Sequence, residues 1–102
     1  MSSCILVCGG AGYIGSHMVR LLVEQGFEPV VLDDLSTGHR EAVAGVELVE
    51  GDVCDPDVLD RAFGSRGFDA VMQFCAKSVD AARTLEPRLA EAWIVKKPTK
   101  ED

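Results

Sequence analysis

Short apolar runs recur along the chain and are separated by turn-forming or amphipathic segments. Runs of this length are typical of buried β-strands. Four of them occur, at about residues 4–8, 29–33, 46–50 and 68–74. The third run alternates apolar and acidic residues from Val46 to Glu50, which indicates a strand at the edge of a sheet.

Amphipathic segments with a helical period lie between these runs. The first covers residues 13–25, and Gly26 is expected to end it. Its side chains expected to face the sheet are Ile14, Val19, Leu21, Leu22 and Val23. Residues 39–44 are long enough for only a short helical piece.

The second full helix is predicted at about residues 56–64. Asp55 and Pro56 have the residue types preferred at a helix N-cap and in the first helical position. The predicted buried stripe consists of Val58, Leu59, Ala62 and Phe63.

The alternation of strands and helices predicts an α/β fold, a partial Rossmann fold with a parallel sheet and flanking helices. Right-handed crossovers give the strand order 3-2-1-4 and place a crevice between the carboxyl ends of strands one and four. In this prediction the sheet is truncated before its remaining strands, so strand four is an exposed edge. Because such edges pair with other chains, self-association through that edge is expected.

A glycine-rich segment follows the first strand and opens the first helix. Gly9, Gly12 and Gly15 fit the spacing GxxGxxG, and Gly10 with the last two fits GxGxxG. The early glycine permits a tight turn, Gly12 lets the backbone approach phosphate oxygens, and Gly15 lets the helix pack closely. The segment is therefore interpreted as a pyrophosphate site at a helix N-terminus. The alternative is a turn that merely joins strand to helix.

Asp33 ends the second apolar run, 18 residues after Gly15. A carboxylate at that place can accept hydrogen bonds from the adenosine ribose hydroxyls of a dinucleotide. It would also repel a 2′-phosphate, and no arginine adjoins it in the sequence, so NAD is favoured over NADP. The alternative is a solvated strand end.

Residues after the third and fourth strands are predicted to line the same crevice. Asp52 can accept a hydrogen bond from the adenine amino group, with Val53 beside the ring, although Asp52 as a loop-capping residue is an equal alternative. Phe74, Cys75 and Ala76 are placed behind the pyrophosphate and the nicotinamide ribose by position alone.

Composition limits the classes of function. The chain has 102 residues, of which 47% are hydrophobic, and a net charge of −7, which indicates one domain and makes a nucleic-acid or anionic-membrane partner unfavourable. It has no apolar stretch of about 18 residues, and its first three residues lack a basic signal start, so a cytoplasmic location is expected. The four cysteines form no CxxC pair, which favours reduced thiols over a metal site.

Several segments together resemble the amino-terminal part of UDP-glucose 4-epimerases, which belong to the extended short-chain dehydrogenase/reductase family. The segments are 8–16, 33–38, 39–41 and 51–53, and the likeness covers residues 4–78. It implies a tightly held NAD, which in that family takes a hydride from C4 of a UDP-hexose and returns it to the other face of the 4-keto sugar. The residues implied at the NAD site are Gly9, Gly12, Tyr13, Ile14, Gly15, Asp33, Asp34, Ser36, Thr37, Gly38, Asp52, Val53, Phe74 and Ala76. At position 34 the family commonly has asparagine.

The catalytic residues of that family have no match here. The family uses a tyrosine, a lysine four residues later and a Ser or Thr hydroxyl, whereas the one tyrosine here is Tyr13 in the glycine loop, followed four residues on by His17. The chain alone is therefore expected not to be catalytic, and a UDP-hexose is expected to bind only if the missing half is supplied. The alternatives are a non-catalytic NAD-binding module, a pseudoenzyme remnant, or part of a related nucleotide-sugar dehydratase or reductase.

The likeness is expected to end near Ser78. Residues 1–78 are interpreted as the NAD-binding Rossmann half, and residues 79–102 as a divergent helical or disordered tail. Within that tail, Leu89 to Trp93 have the spacing of a short amphipathic helix, and residues 96–102 are interpreted as a solvated end. A truncated gene product or an altered reading frame after residue 79 is the accompanying hypothesis.

Overall fold

The chain folds around one parallel β-sheet with helices on both faces. A computed structural model describes residues 3–64, residues 67–74 and the backbone of residues 93–96. The strands are β1 (Cys4–Cys8), β2 (Glu28–Asp33), β3 (Glu47–Glu50), β4 (Ala70–Gln73) and β5 (Trp93–Lys96). The helices are α1 (Tyr13–Glu24), α2 (Pro56–Gly64) and a short 3₁₀ helix (Arg40–Val43).

The strand order is β3-β2-β1-β4-β5, with all four neighbouring pairs parallel. The predicted order 3-2-1-4 is confirmed. The predicted elements also lie where the structure has them, with bounds that differ by a few residues at most. Parallel pairing brings the carboxyl ends of all the strands to the same side of the molecule.

The fifth strand corrects the prediction for the end of the chain. Trp93–Lys96 is a strand paired in parallel with β4, so Trp93 is not helical there, and residues 93–96 do not belong to a helical or disordered tail. β4 is consequently not the exposed edge on which self-association was expected. The prediction was wrong because it gave more weight to the helical spacing of apolar residues than to the β-propensity of Trp93, Ile94 and Val95. The other residues of the segment 79–102, and the division at residue 78, lie outside what the structure describes.

Each face of the sheet has its own hydrophobic core. On the α1 face, Ile5 and Val7 of β1 pack with Val31, Val19 and Leu22. The neighbouring positions of β1 point to the opposite face, because side chains alternate along a strand. The core of the α2 face consists of Leu6, Cys8, Val30, Leu32, Val53, Val58, Leu59, Phe68 and Val71.

Helix α1 buries fewer side chains than its sequence predicted. Val19 and Leu22 are buried, together with Gly15. Ile14, Leu21 and Val23 are exposed, at 56%, 47% and 52%, so their predicted orientation toward the sheet is wrong. Successive residues of a helix are turned by about 100° around its axis, so the buried positions of α1 cover a narrow arc of its circumference. The three exposed positions lie outside that arc, on both sides of it.

Helix α2 begins as predicted. The Asp57 N–H donates to Oδ1 of Asp55 at 2.9 Å, and the Leu59 N–H donates to the Asp55 carbonyl at 3.2 Å, so Asp55 is the N-cap. Val58, Leu59 and Ala62 are buried. The predicted fourth member of the stripe, Phe63, is half-buried and packs edge-on against Phe68, with ring centroids 5.1 Å apart.

A buried carboxylate joins the loops at the carboxyl ends of β1 and β2. Asp33 is 8% exposed, and its Oδ2 accepts from the Ala11 N–H at 2.9 Å while its Oδ1 accepts from the Leu35 N–H at 2.8 Å. The Asp33 carbonyl accepts from the Gly51 N–H at 3.1 Å. One residue thus holds the loops that follow three adjacent strands.

Replacement of Leu59 by alanine tests the α2 face of the core. Leu59 is fully buried, so we expect Leu59→Ala to lower the free energy of unfolding by about 3 kcal/mol. The matched control is Leu21→Ala on the exposed flank of α1, for which we expect less than about 1 kcal/mol. Urea denaturation measures both values, and equal losses would contradict the packing described.

Replacement of Asp33 by asparagine tests the buried carboxylate. Asparagine offers one acceptor oxygen and turns its NH₂ group toward the other N–H, so we expect Asp33→Asn to lower the free energy of unfolding by about 2 kcal/mol. The control is Asp34→Asn, because Asp34 is exposed and asparagine keeps the bond in which its side chain accepts the Ser36 N–H at 2.9 Å. A stability of Asp33→Asn equal to that of the control, measured by urea denaturation, would show that the two bonds do not matter.

Candidate functional site

The loops that follow β1, β2 and β3 converge on one cavity at the carboxyl edge of the sheet. The cavity has a volume of about 200 Å³. Its lining residues are Gly9, Gly12, Leu32, Asp33, Asp34, Ser36, Thr37, Gly51, Asp52, Val53 and Phe74. Ligand sites in open α/β sheets occur at this edge, in the crevice beyond the strand ends.

The glycine loop turns the chain from β1 into α1. Gly9 has a φ of 81°, which side-chain-bearing residues rarely adopt, and its N–H donates to the Leu32 carbonyl at 2.8 Å. The Gly12 N–H donates to the Gly9 carbonyl at 3.2 Å, and the Ser16 N–H donates to the Gly12 carbonyl at 2.9 Å. The first two bonds hold the loop in place, and the bond from Ser16 to Gly12 is the first of helix α1.

Two of the glycines are required by close packing. A Cβ on Gly15 would lie 2.2 Å from the Gly9 carbonyl oxygen, so α1 can cross the loop only with a glycine there. A Cβ on Gly10 would lie 2.9 Å from Cγ1 of Val31. Gly15 therefore allows close packing of the helix, as expected, and the surface that the helix packs against there is the glycine loop itself.

Gly12 is different because the protein itself does not require a glycine there. Its backbone is extended, with φ −77° and ψ −179°, which any residue can adopt. Among the described residues, a Cβ would meet only the Gly9 carbonyl oxygen, at an ordinary 3.5 Å. Since Gly12 lines the cavity, the missing side chain leaves space there for an external group.

The amino end of α1 presents unpaired donors beside Gly12. The first N–H groups of an α-helix have no acceptor within the helix, and the helix dipole places partial positive charge at this end. The first turn of α1 contains no acidic side chain that would neutralise this charge. The arrangement suits a phosphate or another anion.

Carboxylates also line the cavity. Asp34 Oδ1 accepts the Ser36 N–H at 2.9 Å, and Asp52 Oδ1 accepts the Cys54 N–H at 2.8 Å, so both close tight turns. Asp52 is thus the capping residue proposed as one alternative, and it also lines the cavity. Carboxylates accept hydrogen bonds from hydroxyl and amino groups, and they repel a phosphate that would lie directly against them.

Most of the residues predicted for the site are brought together by the fold. The members that line the cavity are Gly9, Gly12, Asp33, Asp34, Ser36, Thr37, Asp52, Val53 and Phe74. Gly15 and Gly38 are buried beside it, and a Cβ on Gly38 would lie 2.7 Å from the Ala11 carbonyl oxygen, so these two glycines serve packing. Ala76 lies outside the described residues.

Tyr13 and Ile14 do not line the cavity with their side chains. Tyr13 is 82% exposed, and its ring contacts that of His17 edge-on, with centroids 4.8 Å apart. Both residues belong to the first turn of α1, where their backbone N–H groups can serve a ligand.

Two lining residues were missed from the sequence. Leu32 and Gly51 line the cavity as the neighbours of Asp33 and Asp52. The available signal was position, because each lies at the carboxyl end of a strand facing the crevice. Gly51 also permits a close approach, since a Cβ there would lie 2.6 Å from Cγ2 of Val58.

Neither metal chemistry nor a membrane span is indicated in the described ranges. Those ranges hold no group of three or more His, Cys, Asp or Glu side chains that could bind a metal ion, and Cys4, Cys8 and Cys54 are reduced. Within the same ranges, neither helix has the length and apolar character needed to cross a membrane.

The chain is similar to UDP-glucose 4-epimerases over most of its length. It is 46% identical over 84 residues to the enzyme of Azospirillum brasilense, covering 81% of this chain and 24% of the relative. It is 47% identical over 76 residues to the enzyme of Lactobacillus helveticus, covering 74% of this chain and 23% of the relative. The chain thus spans about a quarter of the length of these relatives.

Solved structures of such enzymes have the same fold. The Thermus thermophilus UDP-glucose 4-epimerase, in complex with NAD, is 44% identical, with a TM-score of 0.66 over 69% of this chain and 23% of the other. The Brucella ovis enzyme, also in complex with NAD, is 36% identical, with a TM-score of 0.77 over 86% of this chain and 32% of the other.

The family match extends further along the chain than the resemblance seen in the sequence. The model of the NAD dependent epimerase/dehydratase family matches residues 5–92. The expected loss of likeness after residue 78 is therefore wrong, and the divergent residues that suggested an altered reading frame lie within the match. The chain belongs to the NAD dependent epimerase/dehydratase family.

Proposed function

We propose that this chain binds NAD at the described cavity, as the cofactor-binding part of a UDP-glucose 4-epimerase. The observation that carries the proposal is the presence, within one cavity, of a helix amino end with an open Gly12 and of three carboxylates. A dinucleotide has matching parts, an anionic pyrophosphate beside a ribose and an adenine that donate hydrogen bonds. The relatives crystallised with NAD support the choice of cofactor.

Each part of the nucleotide has a candidate location. The pyrophosphate would lie against the first turn of α1, where Gly12 leaves space and Tyr13 and Ile14 offer backbone N–H groups. The ribose would lie at Asp33 and Asp34, near Ser36 and Thr37. The adenine would lie beside Asp52 and Val53, with Phe74 behind the pyrophosphate.

The size of the cavity supports the proposal that the described residues hold only part of NAD. At about 200 Å³ it is smaller than the roughly 300–1,000 Å³ typical of pockets for drug-sized ligands. It therefore suits the adenosine end, and the nicotinamide end would extend past Phe74. When bound, NAD supplies a hydride acceptor for C4 of a sugar nucleotide, and this chain contributes the binding and orientation of the cofactor.

We propose that the chain alone does not turn over a UDP-hexose. A general base must reach the proton that it abstracts, and the one tyrosine of the sequence is Tyr13, on the first turn of α1 with His17 against its ring. A UDP-hexose would require residues beyond those that this chain matches in its relatives. The cytoplasmic location stays a prediction.

Titration of the chain with NAD tests the proposed function. We expect saturable binding at one site by isothermal titration calorimetry. We further expect Gly12→Ala to weaken it by about tenfold or more, because the added methyl group occupies the space of a phosphate oxygen while the fold accepts it.

The matched control is Gly64→Ala, because a Cβ there meets no described atom within 4 Å and Gly64 is not among the residues that line the cavity. We expect its NAD affinity to equal that of the unsubstituted chain. The proposal would be wrong if the unsubstituted chain bound no NAD, or if Gly12→Ala bound it as tightly as Gly64→Ala. Turnover of UDP-galactose by the chain alone would contradict the non-catalytic assignment.

A further inference from the structure

We propose that Leu35 is a positioning residue of the NAD site, because its left-handed backbone conformation directs Ser36 and Thr37 to the cavity. This inference rests on the proposed function and deepens it. Leu35 has a φ of 63°, and in the described ranges it is the one residue other than glycine with a positive φ. Leucine rarely adopts this conformation, since it brings the Cβ atom close to the following carbonyl oxygen.

The turn that contains Leu35 is held where it begins. The Leu35 N–H donates to Oδ1 of the buried Asp33 at 2.8 Å. The side chain of Leu35 is half-buried and packs against the core on the α1 face of the sheet. A strained backbone conformation persists only where the surrounding structure holds it, and these two contacts do so here.

The same turn is held where it ends, by the glycine loop. The His39 N–H donates to the Ala11 carbonyl at 3.2 Å, and a Cβ on Gly38 would lie 2.7 Å from that carbonyl oxygen. Ser36 and Thr37 lie between the two ends of the turn, are exposed and line the cavity. Because both ends are held, the direction of the backbone at Leu35 determines where these two residues lie.

The left-handed conformation of Leu35 gives the cavity its shape before NAD binds. The fold alone does not require a leucine in this conformation, because glycine and asparagine adopt a positive φ at lower cost. A site that is already formed needs no reordering of the turn when the nucleotide enters. Its affinity is then not reduced by molecules whose turn has another conformation. Leu35 thus acts on NAD through the backbone of its neighbours and not by direct contact.

Two substitutions separate backbone conformation from side-chain packing in the full 102-residue chain. Leu35→Val keeps an apolar side chain, but its branched Cβ makes a positive φ far less accessible. We expect its Kd for NAD, measured by isothermal titration calorimetry, to rise about tenfold. Leu35→Asn loses the apolar packing, yet asparagine adopts the left-handed conformation readily. We expect its Kd to rise less than about threefold.

The asparagine variant decides the question even if Leu35→Val does not fold. A purely structural role of the leucine side chain would lower NAD affinity whenever its packing is lost. A rise beyond about threefold in the Kd of Leu35→Asn would therefore overturn the inference.

The matched control is Leu48→Val, which makes the same substitution at another half-buried leucine that packs against the same core. Leu48 lies in β3, where a branched side chain is favoured, and it is not among the residues that line the cavity. We expect its Kd to stay within about twofold of that of the unsubstituted chain. Equal Kd values for Leu35→Val and Leu48→Val would overturn the role of Leu35 and leave the proposed function standing. Failure of the unsubstituted chain to bind NAD would overturn both.

Discussion

The carboxylate of Asp33 is the interaction on which the candidate site depends. Its two oxygens hold the Ala11 and Leu35 N–H groups, and its backbone carbonyl holds Gly51. The loops after β1, β2 and β3 are thereby fixed around one cavity before any ligand arrives. A buried carboxylate is unfavourable unless it accepts hydrogen bonds. The bonds that shape the site therefore also make the burial of Asp33 tolerable.

The glycine loop adds a second constraint, in which fold and ligand make different demands. Gly9 supplies a positive φ, and Gly15 allows α1 to pass within contact distance of the loop. Neither requirement applies to Gly12, because its φ is negative and the described residues around it would accept a methyl group. A glycine that the fold does not need, in the wall of a cavity, is best explained by what enters that cavity.

The sequence predicted the strand order and most of the site, because strand length, glycine spacing and Asp33 are local signals. It could not predict which flank of α1 is left uncovered, since the periodicity of Ile14 and Leu21 does not reveal how many strands the helix crosses. The strand at Trp93–Lys96 was missed because pairing with β4, a contact between distant residues, decides its structure. The bonds of Asp33 were also beyond sequence reasoning, which offered a role toward the ligand or a solvated strand end, whereas Asp33 is 8% exposed.

The central claim is that the loops at the carboxyl edge of the sheet bind NAD as one preformed unit. Amide chemical shifts of the isotopically labelled chain, recorded during titration with NAD, test it most directly. The account predicts saturable shifts concentrated at residues 9–15, 33–38 and 51–53, with the Ala11 and Leu35 amides still protected from hydrogen exchange. Unchanged spectra, or shifts concentrated in the groove between α1 and the 3₁₀ helix at Arg40–Val43, would contradict it.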